Sequence, residues 1–130
     1  MAQGRGSAAR TMIVGITLLG LMLHCEIVNA ANHNHTVGDS DGWTFYMKNW
    51  PLGKKFRTND TLIFSYNHYM HDVAVVDKNG YYNCQTTPTG AKVYTSGNDH
   101  IKLVKGHNYF ICSYSEHCEL FKMRMDVHAV

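Results

Sequence analysis

The feature that most constrains the fold is a series of short β-branched and aromatic runs, separated by turn signals about every ten residues. Residues 61–66 and 72–76 are two such runs. No long stretch has helical periodicity, and an Asn-Gly pair in residues 77–84 predicts a turn followed by a loop. This pattern predicts an all-β fold, either a sandwich or a barrel.

The N-terminal 30 residues have the pattern of a secretory signal peptide. Two arginines form a basic region, an apolar run follows, and Val28-Asn29-Ala30 offers small residues where a signal peptidase cleaves. The apolar run is short of the roughly 20 residues needed to span a bilayer. We therefore expect residues 1–30 to be removed and residues 31–130 to form one secreted domain without a membrane anchor.

The composition argues against one class of function. The formal net charge is only +2, and no run of Lys and Arg interleaved with aromatic residues occurs. Nucleic-acid binding is therefore not expected.

The number of cysteines predicts that one thiol binds a metal ion instead of forming a disulfide. Of the 4 cysteines, Cys25 lies in the predicted signal peptide, which leaves Cys84, Cys112 and Cys118 in the secreted chain. An odd number in an oxidising compartment leaves a thiol without a disulfide partner, and a metal ion is a stable partner for it. We expect one disulfide and one metal ligand, but the number alone does not assign them.

One short segment near the C-terminus contains several soft metal ligands. Residues 112–123 read Cys-Ser-Tyr-Ser-Glu-His-Cys-Glu-Leu-Phe-Lys-Met, with thiols, an imidazole and a thioether close together. A loop joins Cys112, at a strand end, to His117. His71, just before an apolar strand, is the natural second imidazole. Two His, one Cys and a weak axial Met form the blue-copper electron-transfer site, so Met123 completes the predicted set.

The same segments, with several others, resemble a known family. The resemblance covers residues 36–130, in blocks that agree in order and spacing: residues 42–45, 67–76, 83–86, 90–97, 105–112 and 117–118. In these blocks the chain is similar to the phytocyanins, the blue copper proteins of plants. It is most similar to the plantacyanin, or basic blue protein, branch.

The resemblance implies a fold, a cofactor and a function. The fold is a single cupredoxin-like Greek-key β-sandwich, and the cofactor is one type 1 copper ion that carries single electrons by Cu(I)/Cu(II) cycling. His71, Cys112 and His117 match the equatorial ligands, and Cys84 with Cys118 matches the disulfide. Because these ligands and an axial one leave no open position for a substrate, we do not expect an enzyme. We expect a monomer that exchanges electrons with a redox partner the sequence does not name.

The chain departs from the family at the axial ligand. The family usually has Met four residues after the disulfide Cys, commonly following Gly, whereas here Lys122 holds that position and Met123 comes one residue later. Either the segment carries a one-residue insertion, or Lys122 occupies the axial position in an altered site. A one-residue slip flips every side chain, and only Met123 shares a face with Met125 and Val127. Alternation therefore favours Met123.

The remaining histidines and two sequence patterns give weaker signals. His33 and His35 lie in a polar lead-in that we expect to be a mobile tail. The other histidines of the domain, His68, His100, His107 and His128, are expected at the surface. Asn34 and Asn59 begin N-glycosylation acceptor patterns.

A second function remains open for such a chain. It would be an extracellular signalling or cell-wall interaction module, in which copper redox activity is incidental or lost. A variant that cannot bind copper separates the two functions.

Overall fold

Two β-sheets make up most of the computed structural model, which describes residues 31–130. The predicted signal peptide lies outside the described residues. The first sheet contains β1 (Asn34–Thr36), β2 (Thr61–Ser65) and β5 (Asn98–Lys102), with β1 parallel and β5 antiparallel to β2. The second sheet is antiparallel, in the order β4 (Val93–Tyr94), β3 (Val73–Val76), β6 (Gly106–Ile111) and β7 (Arg124–Ala129).

The hydrophobic core lies where the two sheets face each other. Because side chains alternate along a strand, β2, β5 and β7 each bury every second residue. Leu62 and Phe64 of β2 are fully buried in one cluster with Phe110 of β6 and with Met125 and Val127 of β7. The all-β fold predicted from the short apolar runs is confirmed, and it is the sandwich that the family resemblance implied.

The prediction of a turn and loop over residues 77–84 was wrong in part, because a helix forms there. The helix α1 spans Lys78–Asn83, and the carboxylate of Asp77 accepts a hydrogen bond from the Gly80 N–H at 2.8 Å. This N-cap satisfies a donor that the helix cannot pair internally. Tyr81 is buried against the second sheet, so packing stabilises a helix too short to show periodicity.

The segment between Cys112 and Met123 is also partly helical. Residues Ser115–Glu119 form α2, where the sequence predicts only a loop. Its C-terminal turn closes when the Leu120 N–H donates to the Glu116 carbonyl at 3.0 Å. The helix carries His117, so its position decides where that imidazole points.

The expectation of a mobile tail around His33 and His35 was wrong. Residues Asn34–Thr36 pair with β2, and His35 Nε2 lies 2.9 Å from the carboxylate of Asp60. The same carboxylate accepts the His33 N–H at 2.9 Å and the Arg57 N–H at 3.0 Å. A buried carboxylate with several donors therefore fastens the first strand to the sheet.

Residues Asn32–Val130 form one compact unit. Within the described part of the chain, no helix has the length and apolar character needed to cross a bilayer.

Candidate metal centre

Three predicted ligands converge at one end of the sandwich. His71, Cys112 and His117 each offer one ligand atom, and these atoms all lie within 4.8 Å of one another. The Nδ1 atoms of the two imidazoles are 3.3 Å apart, and Cys112 Sγ lies 3.7 Å from Nδ1 of His117. Within residues 31–130, these three residues form the one group of at least three His, Cys or acidic side chains that are close enough together to hold a metal ion. The structure thus brings together residues that are 46 positions apart.

A tight turn positions His71 before its strand. The N–H groups of Met70 and His71 both donate to the Asn67 carbonyl at 3.0 Å, so the chain reverses before it enters β3. The side chain of His71 is 6 % exposed, and its Nδ1 faces inward toward Cys112 and His117. His68, which belongs to the same turn, is exposed as predicted and takes no part.

Main-chain hydrogen bonds hold the C-terminal donors in register. The Cys112 N–H donates to the Met123 carbonyl at 3.0 Å, and the Met123 N–H donates to the His117 carbonyl at 2.9 Å. These two bonds fold the segment back on itself, so that Cys112, His117 and Met123 lie side by side. The helix α2 fills the intervening residues.

Lys122 and Met123 differ sharply in burial. Met123 is 0 % exposed and belongs to the same apolar cluster as Cys112. Lys122 is exposed, its Nζ donates to the Glu119 carbonyl at 2.8 Å, and its side chain lies outside the cluster that contains Cys112 and Met123. Lys122 has φ +50°, in the left-handed region that favours glycine. It thus has the backbone conformation expected of the Gly that commonly precedes Met in the family.

Asp72 links the two halves of the site, and the sequence reasoning missed it. Its carboxylate accepts the Ser113 N–H at 2.7 Å and also the Ser113 hydroxyl. Its carbonyl accepts the indole N–H of the buried Trp43 at 2.9 Å. Asp72 follows the predicted ligand His71, and Ser113 follows the predicted ligand Cys112, so these bonds hold the two side by side. A polar residue beside each ligand was the available sequence signal.

Phe45 packs against both imidazoles and was also missed as a site residue. Its ring lies edge-on to His71 at 5.2 Å and to His117 at 5.0 Å between centroids. The ring of Phe121 also packs against Phe45, at 4.9 Å between centroids. Such edge contacts restrict rotation of the imidazoles.

The protonation of the donors follows from burial. Burial lowers the pKa of His71, and the neighbouring His117 lowers it further, although Asp72 acts in the opposite direction. Burial raises the pKa of the Cys112 thiol, and backbone hydrogen bonds only partly oppose this. His71 therefore presents a free lone pair, while Cys112 must lose a proton to bind a metal ion.

The remaining two cysteines of the described chain form a disulfide beside the site. The sulfurs of Cys84 and Cys118 are 2.02 Å apart, which is the pairing that the family resemblance implied. Cys84 follows α1 and Cys118 lies in α2, next to His117. Cys112 is buried and is the free thiol of residues 31–130.

The donor set fits a soft or borderline metal ion. Two imidazole nitrogens and a thiolate suit copper or zinc and do not suit magnesium or calcium. The burial of Met123 beside Cys112 adds a thioether, a weak ligand that favours copper over zinc.

The imidazole of His117 reaches the surface. It is half-buried and lines a shallow depression of about 610 Å³, whose other lining residues are Tyr69, Met70, Tyr114, Ser115 and Glu116. Tyr69, Met70 and Tyr114 are exposed apolar groups, and Glu116 contributes a negative charge at the rim.

Comparisons with known proteins agree with this arrangement. The family model described as a plastocyanin-like domain matches residues 43–122. The chain is 50 % identical to the basic blue protein of Arabidopsis thaliana, over the whole of both chains. It is 46 % identical to chemocyanin of Lilium longiflorum, over 92 % of each chain. The solved structure of cucumber basic protein, a blue copper protein, superposes with a TM-score of 0.71 at 52 % identity, and this match covers 75 % of this chain and 99 % of that one.

Proposed function

Because the chain belongs to the phytocyanins, a family of blue copper electron carriers, we propose that His71, Cys112 and His117 hold its copper ion, with Met123 as the weak axial ligand. The observation that carries this assignment is the convergence of the two Nδ1 atoms and Sγ within 4.8 Å. Bound copper supplies one-electron chemistry by alternating between Cu(II) and Cu(I).

The protein's own residues keep the site nearly unchanged while the electron moves. The Asp72–Ser113 bonds and the Phe45 ring fix the donors before metal binds, so little rearrangement is needed between oxidation states. The main-chain bonds of Met123 act in the same way from the other side.

Electrons enter and leave through the exposed edge of His117. This imidazole is the donor that lines the surface depression, whereas Cys112 and His71 are buried. We propose that a redox partner docks on the apolar rim around it, and that Glu116 selects for a partner with positive charge there.

We further propose a carrier rather than an enzyme, because the four donors leave no place for a substrate. The predicted signal peptide supports secretion into the extracellular space, where we propose that the protein acts as a monomer. Asn34 and Asn59 are both exposed, which makes them accessible to glycosylation during export.

The proposal is tested by optical spectroscopy of the purified protein with copper. We expect an intense thiolate-to-copper absorption that disappears on reduction. Cys112→Ser abolishes the absorption because the thiolate is removed, and His71→Gln strongly reduces it. His68→Gln is the matched control and leaves it unchanged, since His68 is exposed outside the site. Copper binding without this absorption contradicts the proposal.

The Cys112→Ser variant also separates the carrier from the signalling alternative. If an extracellular effect of the protein persists in a variant that binds no copper, electron transfer is not the basis of that effect.

A further inference from the structure

Two histidines face each other on the outer surface of the second sheet, away from the copper site. His107 of β6 is the direct partner of His128 in β7. Both side chains are exposed, whereas the neighbouring residues Asn108 and Val127 point into the protein. Each histidine lies 5 positions along its strand from a copper-site residue, Cys112 or Met123. At about 3.4 Å per residue this places the pair roughly 17 Å from the copper site.

The two imidazole rings are already close together. Their centroids are 4.7 Å apart, with an angle of 37° between the planes. Direct cross-strand partners have Cβ atoms about 4.5–5.5 Å apart, and the strands that carry them are hydrogen-bonded along six residue pairs. Little conformational entropy is therefore lost when both rings bind one ion.

The carboxylate of Asp126 prepares one of these imidazoles for binding. Nδ1 of His107 lies 2.9 Å and 3.1 Å from the two carboxylate oxygens of Asp126. With Nδ1–H donating to the carboxylate, Nε2 carries the lone pair and is free to bind. A carboxylate in this position is typical behind histidines that ligate metal ions, because it fixes the tautomer and raises the basicity of the ring. Tyr109 stacks on the same ring at 5.8 Å and limits its rotation.

We propose that His107 and His128 together bind a second transition-metal ion, separate from the copper centre. Imidazole selects ions such as Zn²⁺, Cu²⁺ and Ni²⁺ over Mg²⁺ and Ca²⁺. The two rings supply two positions of a coordination shell that water completes, so the affinity is lower than at the buried site. The strand register brings the two rings together, and the contact of His107 with Asp126 in addition orients one of them for binding.

The test is a titration of the copper-loaded protein with Zn²⁺, monitored by isothermal titration calorimetry. We expect one zinc ion per chain in addition to copper, with the visible absorption unchanged. His107→Gln and His128→Gln each remove this ion. Asp126→Asn weakens its binding about tenfold, as is typical for a group that orients a metal ligand. His100→Gln, which alters an exposed histidine of β5, is the matched control and retains the ion.

A second measurement does not depend on any variant. In the unsubstituted protein, Zn²⁺ should shift the NMR signals of two imidazole rings that are close to each other, and Mg²⁺ should shift neither. The proposal is overturned if the copper-loaded protein binds no zinc ion, or if both His107→Gln and His128→Gln retain it. It is also overturned if His33→Gln removes the ion while His107→Gln keeps it, since the site then lies at the N-terminal strand.

Discussion

A single thioether distinguishes a copper site with four protein ligands from one with three. Met123 is fully buried beside Cys112, while Lys122 points into solvent. A weak axial sulfur stabilises Cu(II) more than Cu(I), and the axial ligand is known to tune the potential of such sites. The contribution of Met123 to the site is therefore measurable as a change in the reduction potential of the copper ion.

We predict that Met123→Leu keeps copper bound and raises the reduction potential, since Cu(II) loses a donor. For a one-electron couple, ~59 mV corresponds to a tenfold change in the equilibrium constant, and we expect a shift of this order. The substitution conserves volume and should cost less than about 1.5 kcal/mol of stability. Cyclic voltammetry of the copper-loaded variant provides the measurement.

Met125→Leu is the matched control, because Met125 lies on the same buried face two residues further along β7. It should have a similar stability cost and no effect on the potential. Equal potentials in the two variants would show that Met123 is not a ligand.

At the scale of elements, the entry into β7 contains an unfavourable backbone conformation. Lys122 has φ +50°, which costs a non-glycine residue about 1–2 kcal/mol. Its conformation turns the chain so that Met123 faces inward.

We predict that Lys122→Gly is more stable to unfolding than Lys122→Ala by about 1 kcal/mol, since both lose the Nζ bond to Glu119 but only Ala retains the strain. Urea denaturation of the two variants measures the difference. If Ala is the more stable, the left-handed conformation is absent in solution.

The disulfide connects the end of α1 to α2. It joins residues 34 positions apart and fixes α2, which carries His117, to the end of α1. Restricting a loop of this length in the unfolded chain contributes about 3–4 kcal/mol in the chain-entropy model.

We predict that the double variant Cys84→Ala/Cys118→Ala loses stability of this size, measured by thermal or urea unfolding. Copper binding should also weaken, because α2 is no longer held. A variant with unchanged copper affinity would show that the main-chain bonds of Met123 are sufficient to position His117.

At the scale of the whole molecule, Asp60 fastens the N-terminal strand to the first sheet. Burial alone acts to raise its pKa, but hydrogen bonds from His33, His35 and Arg57 outweigh burial and lower the pKa below its usual 3.8. A lowered pKa in the folded state means that Asp60 stabilises the protein above pH 3.8 and that this stabilisation is lost as the pH falls through the folded-state pKa.

We predict that Asp60→Asn costs roughly 1–3 kcal/mol at neutral pH, because hydrogen bonds to a buried charged group are lost. Its free energy of unfolding should also fall less steeply than that of the unsubstituted protein as the pH falls through the acid range. Asp41→Asn, at an exposed carboxylate, serves as the control. Parallel acid profiles for the unsubstituted protein and Asp60→Asn would contradict the assigned role.

The sequence by itself determined the donor types and the architecture. Short apolar runs separated by turn signals predicted an all-β sandwich or barrel. Alternation favoured Met123 over Lys122 as the inward-facing residue, because a strand exposes its two faces in a strict period of two. The Cys-to-His spacing at residues 112–117 is local, so it needed no structure to suggest a metal site.

Only the tertiary structure decided what depends on distant pairs. The Asp72–Ser113 bonds, the Phe45 contacts and the facing of His107 with His128 each join separate segments, which no local pattern encodes. The helices α1 and α2 were missed for a related reason, since helices of 6 and 5 residues are too short to show a period and are stabilised by capping, packing and the disulfide. The sequence thus predicts the types of residue that bind the metal ion, whereas the residues that orient them are brought into contact only by the fold.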